Sequence, residues 1–289
     1  MDIINATGQK EQFSTEKFCK SLERAGAPKD LSLRVCEQVE GELRPGMSTN
    51  DIVEKTMGYL AKENPGIATS YNLKKGVLEL GPAGFLFEHY IAAILHAYGF
   101  QTKLNQMLKG RCVSHEIDIV AHRGNDHFLL EAKYHNNPGI KTDVTVAMYA
   151  YARLLDIVPE EKKTEHKYAR HAMWLLTNAK FTTSATRYGA CMGIKMTGWN
   201  YPKRRGENLA DMIKEKMLFP VTALPSVNIF AREQFARRNI LLALSLRAYS
   251  EKDIVQQFGI DARQAGRIAE EVKMLSGMET FFRPNTNRA

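Results

Sequence analysis

Cysteine is scarce and scattered. The four residues, at positions 19, 36, 112 and 191, form no Cys-x-x-Cys pair, a pattern that argues against a structural zinc cluster and a disulfide framework and favours a reducing compartment. No stretch approaches the run of about 18 apolar residues that a membrane-spanning helix needs. Nor does the chain open with a positively charged segment followed by an apolar core, so no membrane association and a cytoplasmic location are expected. Internal repeats and low-complexity tracts are also missing, which sets aside repeat architectures. What remains is a basic chain of 289 residues, long enough for two or three domains, with 40 Lys and Arg against 32 Asp and Glu, a net charge of +8 and an isoelectric point near 9.2. The excess is uneven: residues 1–80 carry −1, residues 81–222 carry +6 and residues 223–289 carry +3. A polyanionic partner would meet the middle and the tail.

Two apolar runs in the middle segment hold the chemistry. In Val113–Ala121, alternation puts Val113, His115, Ile117 and Ile119 on one face and Glu116 and Asp118 on the other. In His127–Tyr134, Glu131 and Lys133 share a face because strand side chains repeat every two residues. Gly124-Asn125-Asp126 between the runs has hairpin-turn composition, so the strands should pair and gather all three side chains at one edge. Two carboxylates there suit a hard cation such as Mg2+ or Mn2+, with Asp118 and Glu131 as its ligands. The Lys133 ammonium would hold a water and favour its ionised form. Glu-x-Lys also occurs at Glu160/Lys162, Glu161/Lys163, Glu165/Lys167 and Glu271/Lys273, but in polar, helix-like surroundings.

Upstream, a helix over Ala83–Tyr98 has Phe87, Ile91, Ile94, Leu95 and Tyr98 as its apolar stripe, with Glu88 at the margin and Gly99 as the stop. Downstream, Trp174–Phe181 reads as a third strand, Thr183–Met192 as a crossover helix and Ile194–Trp199 as a fourth strand. The polar segment His135–Asp143 leaves the second strand where the site should lie and feeds a helix over Val144–Leu155. His135 shares the face of Lys133 if the strand continues, and Lys141 could reach a phosphate. Tyr149 and Arg153, one turn apart on that helix, could face DNA or belong to the core.

The stretch from Gly81 to Thr222 resembles the restriction-endonuclease-like superfamily, and within it the Mrr-type nucleases. The resemblance is carried by Gly84-Phe85-x-Phe87-Glu88-x-Tyr90, by His115-Glu116-Ile117-Asp118 and by Glu131-Ala132-Lys133. It implies a mixed sheet flanked by helices and a Mg2+- or Mn2+-dependent DNA endonuclease acting in restriction, phage defence or DNA repair. Asp118 and Glu131 would be the metal ligands, Lys133 the catalytic lysine and Glu88 an auxiliary catalytic acid. Ile117 stands where the superfamily's motif has a proline. The same resemblance implies a homodimer, since many such nucleases cut both strands as dimers. Holliday-junction and flap nucleases share this chemistry, and RNA stays open as a substrate, although no aromatic-rich single-strand platform is present.

Residues 1–80 read as a separate unit. A hairpin around Gly8 and Phe13 precedes a helix capped by Ser14 or Thr15, carrying Phe18, Leu22 and Ala25 and ending at Gly26. Further helices are expected at Leu31–Leu43, Thr49–Lys62 and Pro65–Leu80. This layout resembles an ATP-cone, which would make ATP or dATP an effector. Cones usually place a basic pair just before the hairpin glycine, where this chain has Asn5-Ala6-Thr7; Lys10, Lys17 and Lys74/Lys75 remain as candidate nucleotide-binding groups. A purely structural or interaction role is the other reading.

Residues 223–289 read as a small helical domain. A basic amphipathic helix is expected over Phe230–Ala248. Asp253–Asp261 leads into a second helix over Ala262–Leu275, and apolar-Gly-apolar at Phe258-Gly259-Ile260 is similar to a helix-hairpin-helix module. Arg263 and Arg267 would then face the DNA. The expected whole is an α/β nuclease domain over 81–222, between an ATP-cone-like domain over 1–80 and a helical DNA-contact domain over 223–289. A DNA-binding regulator that senses nucleotides on a nuclease scaffold without cutting is the rival.

Overall fold

The structure, a computed structural model, describes residues 1–5, 7–81, 84–164 and 170–282. Ala6 of the hairpin, Pro82 and Ala83 at the expected helix start, and the Glu165/Lys167 pair lie outside the described residues. The chain divides into two compact units, one formed by residues 1–80 with 214–289 and the other by 81–213.

In the first unit, β1 (Asp2–Ile4) and β2 (Lys10–Gln12) form the expected antiparallel hairpin. Its turn is closed from within. The Asn5 Oδ1 accepts from the N–H groups of Thr7 and Gln9, each at 3.0 Å, and from the Thr7 hydroxyl at 2.7 Å. The helix α1 (Thr15–Arg24) starts where the Ser14 hydroxyl accepts from the Lys17 N–H, and it buries Phe18 and Leu22. It packs on α2 (Lys29–Gly41), and here one expectation fails: Cys19 and Cys36 are joined in a disulfide. Spacing could not show this, because the helix packing, not a local motif, brings the two Cα atoms to 5.8 Å. The helix α3 (Thr49–Glu63) opens with a Ser48–Asp51 capping box. Where a single helix over Pro65–Leu80 is expected, the chain forms α4 (Pro65–Tyr71) and α5 (Leu73–Leu78). The break falls at Asn72, whose side-chain amide donates to the Ala223 carbonyl at 3.0 Å.

The second unit begins with α6 (Phe85–Ala97), followed by β3 (Gln101–Lys109), β4 (Ser114–Arg123), β5 (Asp126–Lys133), β6 (Lys141–Thr142) and α7 (Val144–Thr164). Then come β7 (Arg170–Thr177), β8 (Lys180–Phe181), α8 (Thr183–Met192), β9 (Lys195–Thr197) and α9 (Leu209–Glu215). The main sheet has the order β3-β4-β5-β7-β9, with the first three strands antiparallel and the last three parallel. This is a mixed α/β unit with its five-stranded sheet flanked by helices. Gly124 at φ +59 makes the tight β4–β5 turn. Ala147, Ala150 and Ile157 of α7 and Ala185 of α8 pack with Leu129, Met173, Leu175 and Met196 of the sheet. The helix α7 runs nine residues further than the expected Leu155, through Pro159.

Strict alternation breaks in β4. Ile117 and Val120 both belong to the core against α7, although three residues apart they would face opposite ways in a regular strand. The irregularity centres on Asp118. Opposite it in the β3–β4 ladder lies Asn105, at φ +50, between the pairs Leu104↔Ile119 and Gln106↔Ile117. A non-glycine residue in the left-handed region is uncommon and here marks a local distortion of the pair.

The tail does not form a domain of its own. Instead of one helix over Phe230–Ala248, α10 (Ile229–Arg237) ends before Asn239 at φ +55, and a 3-10 turn occupies Ala243–Ala248. After it come α11 (Glu251–Phe258), α12 (Ala262–Ser276) and α13 (Glu279–Phe282). The expected three-part division therefore gives way to two units, because the tail completes the N-terminal core. The Thr222 hydroxyl donates to the Gly76 carbonyl at 2.6 Å, Arg232 pairs with Glu79 at 3.1 Å, and α12 packs on α4.

Candidate active site

The β4–β5 hairpin pairs up to Ile119↔Leu130 and then opens. Asp118 and Glu131 come next on the two strands, at the point where the ladder stops. The Asp118 carboxylate fills that opening by accepting from the Ala132 N–H at 2.7 Å, so a side chain replaces the carbonyl partner the strand would have supplied. Glu88 reaches the same end from α6. The Phe87 ring beside it packs at 5.3 Å on the Tyr134 ring, which directly follows Lys133, and this contact ties the first turn of α6 to the end of β5.

Electrostatics show that the acids form one group. Burial pushes the Glu88 carboxyl up to about 7, aided by the charges of Asp118, Glu116 and Glu131. Asp118 is raised by burial, against the stabilising Ala132 N–H, and Glu131 is raised by burial and by Asp118. Lys133, on the same strand face as Glu131, is exposed. The structure thus brings Glu88, Asp118, Glu131 and Lys133 to one end of the sheet. Among the described residues, Glu88, Asp118 and Glu131 do not close into a three-carboxylate cage.

Arg153 is the residue that spacing left undecided. From α7 its guanidinium donates to Glu131 at 2.5 Å and to the Tyr149 hydroxyl at 2.9 Å, and it lies 4.2 Å from the centre of the Tyr149 ring. Both members of the Arg153–Glu131 pair are largely buried. Glu116, read only as a face-mate of Asp118, adds a further negative charge. The one-turn separation of Tyr149 and Arg153 was the available signal; their partner on β5 was not readable.

His135 is held firmly beside this site. Its N–H donates to Asn178 Oδ1 at 2.9 Å, its carbonyl accepts from Asn178 Nδ2 at 2.7 Å, and its Nε2 lies 2.9 Å from the Thr142 hydroxyl. Burial, then the Lys133 charge, lowers its pKa. Lys141 is exposed on β6. In the other unit Arg263 and Arg267 are exposed one turn apart on α12, whose first turn is capped by Asp261 accepting from the Gln264 N–H at 3.0 Å. Lys10, Lys17 and Lys74 are exposed on three different elements, β2, α1 and α5. A cavity of about 450 Å³ in the sheet-bearing unit, lined by Tyr98, Phe100, Arg123, Trp174, Lys195 and Glu207 among others, includes none of Glu88, Asp118 and Glu131.

No family model matches the chain. It is 33% identical over 187 residues to an uncharacterized protein of Archaeoglobus fulgidus, a match that covers 65% of this chain and all of that protein. A crystal structure of a protein of unknown function, AF1548, superimposes with a TM-score of 0.54 at 33% identity, over 68% of this chain and all of that one. The chain belongs to the family of that uncharacterized archaeal protein.

Proposed function

We propose that this chain is a metal-dependent deoxyribonuclease that hydrolyses phosphodiester bonds, an Mrr-type member of the restriction-endonuclease-like superfamily acting in restriction, phage defence or DNA repair. The observation that carries the reading is the gathering of the partly buried carboxyls of Glu88, Asp118 and Glu131, each held above its ordinary range chiefly by burial, beside Lys133 at the open end of a β-hairpin. Partly buried carboxylates lack the hydration that stabilises their charge, and Mg2+ or Mn2+ would offset that loss, since such ions use one or two carboxylates and keep several waters. Asp118 and Glu131 would hold it. Bound there, the ion supplies charge neutralisation at the phosphate and a more acidic water.

The chain's own groups do the rest. Asp118 is anchored at the strand end by the Ala132 N–H on one oxygen, and its other oxygen would serve as the ligand atom. The Lys133 amine, exposed two residues after Glu131, can hold a water or a phosphate oxygen. Glu88 is poised to exchange a proton near neutral pH. His135 and Lys141 border the site and Arg263 and Arg267 offer phosphate contacts elsewhere. Lys10, Lys17 and Lys74 would meet ATP or dATP as an effector in an ATP-cone-like region, and a homodimer would cut both strands.

One observation favours a second reading, a non-cleaving, nucleotide-sensing DNA-binding regulator: Arg153 already occupies one oxygen of Glu131. Incubating plasmid, linear, methylated and branched DNA with Mg2+ or Mn2+ separates the two. Cleavage of any of them supports the nuclease, whereas retarded but intact DNA in every case supports the regulator.

A further inference from the structure

A second cluster lies at the opposite end of β5 from Lys133. His127 and His171 are register neighbours on the parallel strands β5 and β7, and Glu161 reaches them from the last turns of α7. The two rings stand nearly perpendicular, at 89°. Both present the same nitrogen to one point: Nδ1 of His127 lies 3.1 Å from Nδ1 of His171 and 3.5 Å from Glu161 Oε2, and His171 Nδ1 lies 3.1 Å from that oxygen. The side chains of both histidines are almost fully buried.

Each ring nitrogen carries either a hydrogen or a single lone pair. If both nitrogens donate to Glu161, two N–H groups oppose each other at 3.1 Å. One proton on His171 can be shared between Glu161 and His127, and the His127 lone pair then faces the carboxylate at 3.5 Å. A cation at the centre would instead meet all three atoms through their lone pairs. The size fits as well: zinc bonds of about 2.0–2.1 Å place tetrahedral ligand atoms about 3.3 Å apart, and the three edges here are 3.1, 3.1 and 3.5 Å. Two imidazoles and one carboxylate suit a zinc-class ion better than magnesium, which prefers an all-oxygen shell.

We propose that His127 Nδ1, His171 Nδ1 and Glu161 Oε2 form a tetrahedral site for a zinc-class transition-metal ion, with the fourth position left to water or another ligand. The site is separate from Asp118 and Glu131 and independent of any nuclease activity. Such an ion would fasten the end of α7 to the sheet, and α7 is the helix that carries Arg153.

The test uses the full chain without a histidine tag, loaded with zinc, dialysed and assayed by elemental analysis. One zinc per chain is expected in the wild type and in Asp118→Ala. His171→Ala and Glu161→Gln should weaken binding by more than about a hundredfold, because losing a residue that merely orients a ligand already costs about 10–100-fold. Cobalt should give tetrahedral ligand-field bands in the wild type and in Asp118→Ala, and in neither His171→Ala nor Glu161→Gln. A wild type that retains no zinc, or variants that retain it equally well, would overturn the proposal. Should the variants not fold, X-ray absorption at the zinc edge of the wild type decides, since a shell without imidazole scattering also overturns it.

Discussion

Arg153 on α7 and Glu131 on β5 are joined by a charge-assisted hydrogen bond of 2.5 Å, with only 14% and 16% of the two side chains exposed. This pair links the helix layer to the acidic end of the sheet and sets how much of Glu131 is open to another cation. Arg153→Ala should leave the carboxylate buried among other acids and strip the Tyr149 ring of its stacked partner. The expected loss is about 2–3 kcal/mol, somewhat below the roughly 3–5 kcal/mol for removing one member of a fully buried pair. Urea denaturation measures it; an unchanged midpoint would show that the pair carries no stability.

Glu88 makes stability depend on pH. Its folded-state pKa of about 7 lies above the ordinary 4.5, so between those values the folded chain keeps a proton that the unfolded chain has released. Stability contributed by that proton is complete below about 4.5 and is lost as pH rises through about 7. Glu88→Gln should therefore raise the melting temperature at pH 8 and change it little at pH 5. Carboxyl NMR should show the Glu88 midpoint moving down on adding Mg2+. A midpoint near 4.5 in the metal-free protein would contradict the burial, and the neighbouring negative charge, assigned to Glu88.

Gly76 tests the union of the N-terminal region with the tail. A β-carbon there would meet the Ala223 Cα at 2.6 Å and its backbone nitrogen at 2.7 Å, and backbone cannot move aside as a flexible side chain can. Gly76→Ala should cost about 1–3 kcal/mol by overpacking, read as a lower denaturation midpoint. A variant as stable as the wild type would mean that this contact is loose.

If DNA meets α12, Arg263 and Arg267 contribute through phosphates. Replacing both with Ala should lower the slope of log K against log salt by about two, about one per lost contact. An identical slope would remove this face from the binding surface. The Asp261 cap argues that the arginines, rather than the N-terminal amides of α12, make any such contact.

The β4–β5 hairpin and the trio of Asp118, Glu131 and Lys133 were legible in the sequence because turn composition and a two-residue period act locally. The Thr183–Met192 helix matched its expected bounds for the same reason, with Thr182 as its cap and Gly193 in the left-handed conformation as its stop. β3 was not legible. As an edge strand it exposes Lys103, Asn105, Met107 and Lys109 and turns only Leu104 and Leu108 inward among strong apolar residues. The distortion at Asp118, the Cys19–Cys36 bond, the packing of Gly76 on Ala223 and the His127–His171–Glu161 cluster all depend on residues far apart in the chain. Local pattern carries no record of such contacts.

The most direct measurement is single-turnover cleavage of supercoiled DNA with Mg2+ by the wild type, Asp118→Ala and Lys133→Ala. Cleavage by the wild type, slowed at least about a hundredfold in each variant while both stay folded, is the expected result. Equal cleavage by all three would place the chemistry elsewhere, and a wild type that binds DNA but never cuts it would leave the acidic cluster without a hydrolytic role.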